Sequence, residues 1–394
     1  MPLARGEARM HPLTSIRMTA PAKDLRAAVE IRTETNPGRF LDLQREFYRG
    51  DRNFVPPLAA GEKWQLQPHR NPFFQHAELG LFTAWRNGKL VGRVSACRDR
   101  LNDEFHGDRV GFFGHFEASD AETAASLVEH AGQWCRQRGA TELRGPVDLS
   151  TNYRCGLLVE GDPGTPVMMM PHNPPHYAGW LEATGLQKAK DLVALHGTKE
   201  GIDRKRMARI AEHLQKRNAA QLRQVDMRRF TDDVRTMWRL YESIWDRNWG
   251  FAPMPEAEFL AQARDLKKIA HPALLQIAEV EGKPVGFIVA LPDVNKAVHA
   301  CNGRLLPFGW WKFLRTLRAT RSIRVLTMGV TREYRRAGVD VMMMQRVMED
   351  GIAAGFDACE AGWILEDNDD MLSPLATMGL RLYRRYRIYS KSLR

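Results

Sequence analysis

The chain has 394 residues, 44% of them hydrophobic, which is enough for two or three domains with substantial cores. Its 58 Lys and Arg exceed its 47 Asp and Glu, and the formal charge of +11 suits an anionic partner without choosing among nucleotide, nucleic acid and membrane surface. The five cysteines are never spaced as CxxC, so neither a disulfide framework nor a zinc site is indicated. With no apolar signal region and no run of about 18 apolar residues, we expect a cytoplasmic protein that does not span a membrane.

Residues 1–26 are expected to form a disordered tail, and the chain that follows contains an internal repeat. The segment from Val110 to Asn152 and the segment from Val325 to Asn368 both predict a strand, a loop, a helix and a second strand that ends near an asparagine. Their glycines also keep step along the predicted helices. The repeat therefore predicts two units of the same architecture.

A predicted β-hairpin precedes each copy of the repeat, at 80–100 and 274–293, with an Asn-Gly or Glu-Gly turn between alternating apolar residues. Segment 201–224 is expected to be a charged amphipathic linker helix. The predicted domains are therefore an N-terminal unit, 27–200, and a C-terminal unit, 225–394. The predicted class is α/β, or more narrowly α+β, in which each unit has a mostly antiparallel mixed sheet flanked by helices.

One loop of the second copy has the chemistry of an anion site. The stretch "TREYRRAGVD", 331–340, places Arg332, Arg335 and Arg336 just ahead of Gly338 at the predicted start of a helix. A helix start offers unpaired N–H donors and a positive dipole, glycine allows close approach to the backbone, and arginine adds paired donors. The pattern predicts a phosphate site, and the alternative is a solvated Arg-rich turn that begins a structural helix.

The matching loop of the first copy, "FEASDAETAA" at 116–125, contains neither glycine nor arginine. Ser119 and Glu122 have the spacing of a capping box, which satisfies a helix start with side chains. We therefore expect no phosphate there. The N-terminal unit is interpreted as a degenerate copy that supports the second unit and contributes walls to the acceptor pocket.

The order of elements, with a basic glycine turn after the fourth strand, resembles the GNAT superfamily of acyl-CoA N-acyltransferases over most of 27–394. The resemblance implies an acyl-CoA donor, no metal, and donor contacts from the fourth strand, the glycine loop and the asparagine after the fifth strand. The implied binding residues are Met328, Gly329, Val330, Arg335, Arg336, Ala337, Gly338, Val339 and Asn368. Asp340 stands where the family has a small residue, so either the loop shifts by one residue or the donor is an acyl carrier protein, whose phosphopantetheine carries a single phosphate.

The tyrosine that many family members use as general acid would fall at Leu375, so a replacement is sought nearby. The candidates are Tyr383 and Tyr386 on the last predicted strand, Glu366 as a base at the end of a strand, and His172 in a Pro- and Met-rich insert of the first unit. Each has a structural alternative, because terminal-strand tyrosines commonly pack, strand-end carboxylates are commonly solvated, and single histidines are commonly satisfied structurally.

Residues 307–321 include two adjacent tryptophans and several basic residues, the composition of an interfacial helix on anionic lipid; the alternative is an ordinary core-facing helix. Segments 51–58 and 145–177 resemble a bacterial group of long, two-unit GNAT-like proteins that includes the bacterial ceramide synthases. The resemblance implies transfer of a fatty acyl group to a sphingoid base or other lipid-like amine, with peripheral contact at the inner membrane.

Two other functions stay open. One is a tandem GNAT transferase that uses aminoacyl-tRNA, although nucleic acid is not an expected partner because the chain has no Lys-rich arm. The other is a non-catalytic acyl-CoA or lipid sensor, which the missing family tyrosine favours.

Overall fold

The computed structural model describes residues 27–58, 63–217 and 219–394. The expected tail, 1–26, lies outside the described residues. Helices flank a large, mostly antiparallel sheet, so the predicted mixed α/β class and the tandem arrangement are confirmed. In the described ranges, no helix is long and apolar enough to cross a membrane.

The first repeat follows the predicted order of elements. Its strands are β1 (Glu30–Thr33), β2 (Ala77–Arg86), β3 (Lys89–Asp99), β4 (Val110–Ala118), β5 (Glu142–Gly145), β6 (Leu157–Gly161) and β7 (Gln187–Thr198). Its helices are α1 (Pro37–Asp42), α2 (Gln44–Phe47), α3 (Arg100–His106), α4 (Ala121–Gln137) and α5 (Tyr177–Ala183).

The second repeat has the same plan after a connecting helix, α6 (Arg204–Arg217). Its strands are β8 (Ala220–Gln224), β9 (Leu275–Val280), β10 (Lys283–Pro292), β11 (Ser322–Val330), β12 (Ala358–Leu365) and β13 (Arg381–Ser392). Its helices are α7 (Phe230–Trp245), α8 (Glu256–Leu266), α9 (Asn295–Ala300), α10 (Gly309–Arg318), α11 (Val339–Ala353) and α12 (Asp369–Thr377).

The linker differs from the single helix expected over 201–224. The helix is shorter, and β8 pairs antiparallel with the edge of β9, with Leu222 opposite Ala278. The difference has a tertiary cause, because a strand this short is stabilised by the backbone hydrogen bonds of its neighbour, which the linker sequence does not contain.

The described strands form one sheet of 13, in the order β1-β2-β3-β4-β5-β13-β7-β12-β11-β10-β9-β8, with β6 beside β13. The last strand of each repeat pairs with the fifth-strand equivalent of the other. In β13, Tyr389 lies opposite Gly145 of β5, and in β7, Leu195 lies opposite Ala361 of β12. The sheet of each repeat is thus completed by the final strand of the other repeat.

The strands β11 and β12 run parallel and pair only over 322–325 and 358–361. Beyond this short ladder β12 continues against β7, with an irregularity between Ala361 and Ile364, so a gap opens between β11 and β12. The apolar core that includes α11 and α6 residues covers one face of this half of the sheet, and the core of α7 and α8 covers the other. The gap therefore leads from one face of the sheet to the other, and each face is covered by its own apolar core.

Candidate active site

A cavity of about 370 Å³ lies at the gap between β11 and β12. The β11 residues from Ile323 to Met328 form one edge, and β12 forms the other. The cavity is bounded by α7 and α8 on one side of the sheet and by α11 and α12 on the other side. It therefore passes from one face of the sheet to the other.

Helical periodicity explains why the cavity wall is apolar. The α7 residues in the wall recur every three or four positions, and those of α11 follow the same spacing, so each helix turns one apolar stripe inward. The wall residues of these two helices are Phe230, Val234, Met237, Tyr241, Trp245, Met344, Val347, Met348, Gly351 and Ile352.

The first repeat also contributes to the wall, through Thr151, Asn152, Tyr153 and Met169. The hydroxyl of Tyr241 donates a hydrogen bond of 2.6 Å to Asn152 Oδ1, which ties the first repeat to α7. The first repeat therefore forms part of the cavity wall, and the expectation that it lines the acceptor pocket stays a prediction.

Two of the predicted donor-binding residues, Met328 and Asn368, lie in the cavity wall. Gly329 lies beside them on β11, where a Cβ would come within 2.6 Å of the Trp245 ring, so only glycine fits. The side chain of Val330 is buried in the core on the α11 face.

The predicted anion loop begins α11. Gly338 is the N-cap residue, has φ of +82°, and caps the helix without a side-chain hydrogen bond. Arg336 also has a positive φ, +66°. Arg335 is exposed and its Nη2 donates a 2.8 Å hydrogen bond to the carbonyl of Ile244 at the end of α7. A Cβ on Gly338 would lie 2.5 Å from Leu214 Cδ2, so α6 packs directly against this loop.

The rest of the loop is held by the core beneath it. Val339 is fully buried among the α11 core residues, and Ala337 packs against that core. Burial raises the pKa of Asp340, and the nearby Asp370 adds to the rise, while backbone hydrogen bonds partly offset both. This environment favours the neutral carboxyl more than an exposed position would.

The corresponding loop of the first repeat is already occupied by side chains. The N-cap of α4 is Asp120, not the predicted Ser119, and its carboxylate accepts a 2.9 Å hydrogen bond from Thr123 N–H. Arg86 donates to Asp120 at 2.7 Å and to Glu122 at 2.8 Å. The predicted capping box is wrong: α4 begins at Ala121, so the N-cap is one residue later than predicted and the third helical residue is Thr123.

Among the described cavity-lining residues, none is one of the four predicted catalytic side chains. Glu366 accepts hydrogen bonds from Lys188 Nζ at 2.7 Å and from the backbone N–H of Asp191 at 3.1 Å. His172 lies in the first repeat, where its Nε2 is 2.8 Å from the Asp51 carboxylate. Glu366 and His172 thus contact different partners, and the structure does not bring the two side chains together.

The two tyrosine candidates lie on β13. Tyr386 is fully buried, and burial raises its pKa to about 12. The ring of Tyr383 packs 5.6 Å from that of His196, with the Arg384 guanidinium 4.9 Å from its centroid. Both contribute to packing between the repeats, which was the structural alternative.

Sequence reasoning missed a buried polar chain that ends at the cavity. Tyr153 donates a 2.9 Å hydrogen bond to Glu258 Oε1 of α8, and Asn71 Nδ2 donates to the Tyr153 hydroxyl at 3.1 Å. Glu258 Oε2 lies 3.4 Å from His76 Nε2, and His76 Nδ1 lies 2.8 Å from Asp99 Oδ1. We call Asp99, His76, Glu258 and Tyr153 the buried polar chain.

Burial and charge act against each other in this chain. Burial opposes the charge on His76, but the carboxylates of Asp99 and Glu258 outweigh it and raise the pKa of His76 to about 9. Burial raises the pKa of Glu258 above its ordinary value, and His76 and Tyr153 partly offset the rise. The only available sequence signal was Tyr153 itself, inside segment 145–177, because its partners come from three distant parts of the chain.

A second buried group lies beside the gap. Glu360 of β12 is 1% exposed, neither carboxyl oxygen has a hydrogen-bond partner, and Oε1 is 3.9 Å from Arg324 Nε of β11. Arg324 instead donates to the carbonyls of Gly362 and Met168. Burial raises the pKa of Glu360 to about 7, although Arg324 and Arg384 act in the opposite direction.

Comparison with solved structures identifies the fold. A tandem GNAT protein from the clavulanic acid biosynthesis pathway matches 93% of this chain and 99% of its own length, with a TM-score of 0.59 and 13% identity. The chain therefore has the fold of a tandem GNAT protein. No family model matches the chain.

Comparison with curated proteins gives the family. The bacterial ceramide synthase of Caulobacter vibrioides is 34% identical over 378 residues, covering 93% of this chain and 97% of the relative. Protein YghO of Escherichia coli is 33% identical over 362 residues, covering 90% and 92%. The chain belongs to this family of tandem GNAT N-acyltransferases.

Proposed function

We propose that this protein transfers a fatty acyl group from acyl-CoA to the amino group of a lipid-like amine, such as a sphingoid base. The observation that carries the proposal is the apolar cavity that crosses the sheet at the gap between β11 and β12. A thioester and an amine entering from opposite faces would meet there, and both long chains would leave water. The similarity to a protein named bacterial ceramide synthase supports the same chemistry.

The donor is assigned to the α11 side. The exposed Arg335 and the N-cap Gly338 offer guanidinium and backbone donors to a pyrophosphate, while Met328 and Asn368 of the cavity wall would contact the pantetheine. Met344 and Met348 lie deeper along α11, and flexible thioether side chains adapt to an acyl chain. An acyl carrier protein would present the same pantetheine with a single phosphate and is the alternative donor.

The acceptor is assigned to the α7 side, where the first repeat closes the cavity. Aromatic and apolar side chains of α7 and α8 would cover the hydrocarbon part of the amine. The first repeat would act as a wall and not as a second donor site, since Asp120 and Arg86 already occupy the start of α4.

A membrane-facing helix would supply such substrates. None of the α10 residues is buried, and its Trp310 and Trp311 side chains are exposed together with Leu306 and Phe308 in the preceding turn. Its exposed cations, Lys312, Arg315 and Arg318, suit an anionic lipid surface. We propose that α10 docks the protein on the cytoplasmic face of the inner membrane.

Release of free CoA thiol tests the reaction. Acetyl-CoA and palmitoyl-CoA are each supplied with and without sphinganine, for the native chain and for the double variant Arg335→Ala, Gly338→Glu. We expect sphinganine-dependent release from palmitoyl-CoA that the double variant loses. Arg346→Ala is the control, because Arg346 is also on α11 but forms an exposed ion pair with Asp350.

The other outcomes separate the remaining functions. Acyl-CoA binding without turnover by any amine would support the sensor, and turnover only with acyl carrier protein would reassign the donor. Salt-dependent tRNA binding with aminoacyl transfer would support the tRNA-dependent reaction.

Vesicle sedimentation tests the docking helix. We expect Trp310→Ser, Trp311→Ser to reduce binding to phosphatidylglycerol-containing vesicles by roughly tenfold or more. Leu382→Ser is the control, because Leu382 is an exposed apolar residue on β13, away from α10. Equal binding by both variants would remove α10 as the docking element.

A further inference from the structure

The buried polar chain begins at Tyr153 in the cavity wall and continues to the carboxylate of Glu258, which also lies 3.4 Å from His76 of the first repeat. We propose that Tyr153 is a catalytic residue that accepts a proton from the acceptor ammonium and passes its own phenolic proton to Glu258, with His76 and Asp99 as positioning residues. This inference rests on the proposed function, because it specifies how that reaction removes the amine proton.

The reaction requires such a group. At neutral pH a primary amine carries an additional proton, and its nitrogen has no lone pair with which to attack a thioester until that proton is removed. Two tyrosines lie in the described wall of the cavity. Tyr241 donates to the neutral amide of Asn152, whereas Tyr153 donates to the carboxylate of Glu258, so only Tyr153 adjoins a proton acceptor.

The hydrogen-bond partners of Tyr153 include Gln262, which also lines the cavity and which an acceptor ammonium would replace. A phenol oxygen has two lone pairs; Asn71 Nδ2 donates to it at 3.1 Å, and the side chain of Gln262 is a second partner. The phenolic proton is committed to Glu258 at 2.9 Å. Tyr153 also packs in one apolar cluster with Trp363 of β12 and Trp249, close to the gap between the strands.

The proton and electron balance is complete. One ammonium N–H bond breaks as its proton moves to the Tyr153 oxygen, while the phenolic proton moves to Glu258 Oε1. The freed nitrogen lone pair forms the C–N bond, and the C–S bond breaks with its electron pair on sulfur. The second proton from the ammonium leaves with the sulfur as CoA thiol. After the products leave, Glu258, which is 1% exposed, returns a proton to the Tyr153 oxygen, and the phenolic proton leaves through the cavity.

The surroundings of Glu258 make the step sensitive to pH. The titratable groups around it are His76, Asp99, Tyr153 and Tyr241. The positive His76 lowers the pKa of Glu258, while burial and Asp99 raise it. Removing the imidazole should therefore raise the pKa of Glu258 and move the acidic limb of the rate profile to higher pH.

The test uses the full-length chain with palmitoyl-CoA and sphinganine. We expect Tyr153→Phe and Glu258→Gln to lower kcat by about 100-fold or more, while palmitoyl-CoA binding measured by calorimetry changes less than about twofold. His76→Gln should shift the acidic limb of kcat upward by about one pH unit. Tyr177→Phe is the matched control, because Tyr177 is a buried tyrosine hydrogen-bonded to Glu117 at 3.1 Å in the first repeat.

The outcomes separate this inference from the proposed function. If the native chain turns over and Tyr153→Phe retains more than about a third of kcat, the proton relay is refuted and the proposed function stands. The relay would also be refuted if Tyr177→Phe and Tyr153→Phe lost kcat equally and both had lowered unfolding midpoints, while His76→Gln left the acidic limb of kcat unchanged. No turnover by the native chain with any amine would refute the proposed function itself.

Discussion

Replacing Glu360 with glutamine should remove a pH-dependent loss of stability. The pKa of Glu360 is raised from 4.5 to about 7 in the folded chain, so the folded state holds the proton more tightly than the unfolded state. Stability is then greatest at low pH and falls as the pH rises toward about 7. At about 1.4 kcal/mol per pH unit the full cost is about 3 kcal/mol, of which about 2 kcal/mol appears between pH 5 and pH 7.5.

Urea unfolding at pH 5 and pH 7.5 measures this difference. We expect the native chain to lose about 2 kcal/mol more than Glu360→Gln over that interval. Groups that do not interact with Glu360 contribute equally to both proteins, so the difference reports Glu360 together with its electrostatic partners Arg324, Arg384 and Asp293. Glu160→Gln serves as the control, since Glu160 lies on β6 with a side chain that is 67% exposed. An identical pH dependence of the native chain and Glu360→Gln would refute the reasoning.

Gly338→Ala should lower the free energy of unfolding by about 1–3 kcal/mol, because φ is +82° and the added Cβ would meet Leu214. Adding Leu214→Ala to this variant should recover only the part of the loss that comes from the steric clash. Thermal unfolding of the single and double variants measures both losses, and full recovery of stability in the double variant would show that the positive φ of residue 338 costs nothing. If the proposed function holds, Met344→Trp should reduce turnover of palmitoyl-CoA by roughly tenfold or more and spare acetyl-CoA, since it narrows the cavity; equal losses would count against an acyl site there. Tyr241→Phe should destabilise the fold by about 1–3 kcal/mol in urea, because the Asn152 amide loses its donor; no change would show that the bond adds nothing.

The glycine loop shows how far local sequence reasoning reaches. A glycine followed by an apolar run predicts a helix start, and α11 begins at Val339 immediately after Gly338. What the sequence did not indicate is that Leu214 of α6 packs over that glycine, because the contact joins residues more than 100 positions apart. The anion assigned to this loop stays a prediction until donor binding is measured.

The catalytic candidates show the opposite limit. Glu366 and Tyr386 were chosen for their distance along the chain from a family position, but the structure engages Glu366 in ion pairs and buries Tyr386 between the repeats. Tyr153 and Glu258 are 105 residues apart and carry no shared motif. Only folding makes them neighbours.

The sequence alone determined the repeat, the hairpin before each copy and the strand-helix-strand order within each copy, because these depend on patterns within 10 to 20 neighbouring residues. Tertiary structure decided that β7 and β13 each pair with a strand of the other repeat. It also decided that the cavity crosses the sheet between β11 and β12, and that four side chains from both repeats form one buried polar chain. The physical reason is that a strand's own pattern shows which face is apolar but not which neighbour will satisfy its backbone hydrogen bonds. That choice depends on the rest of the sheet.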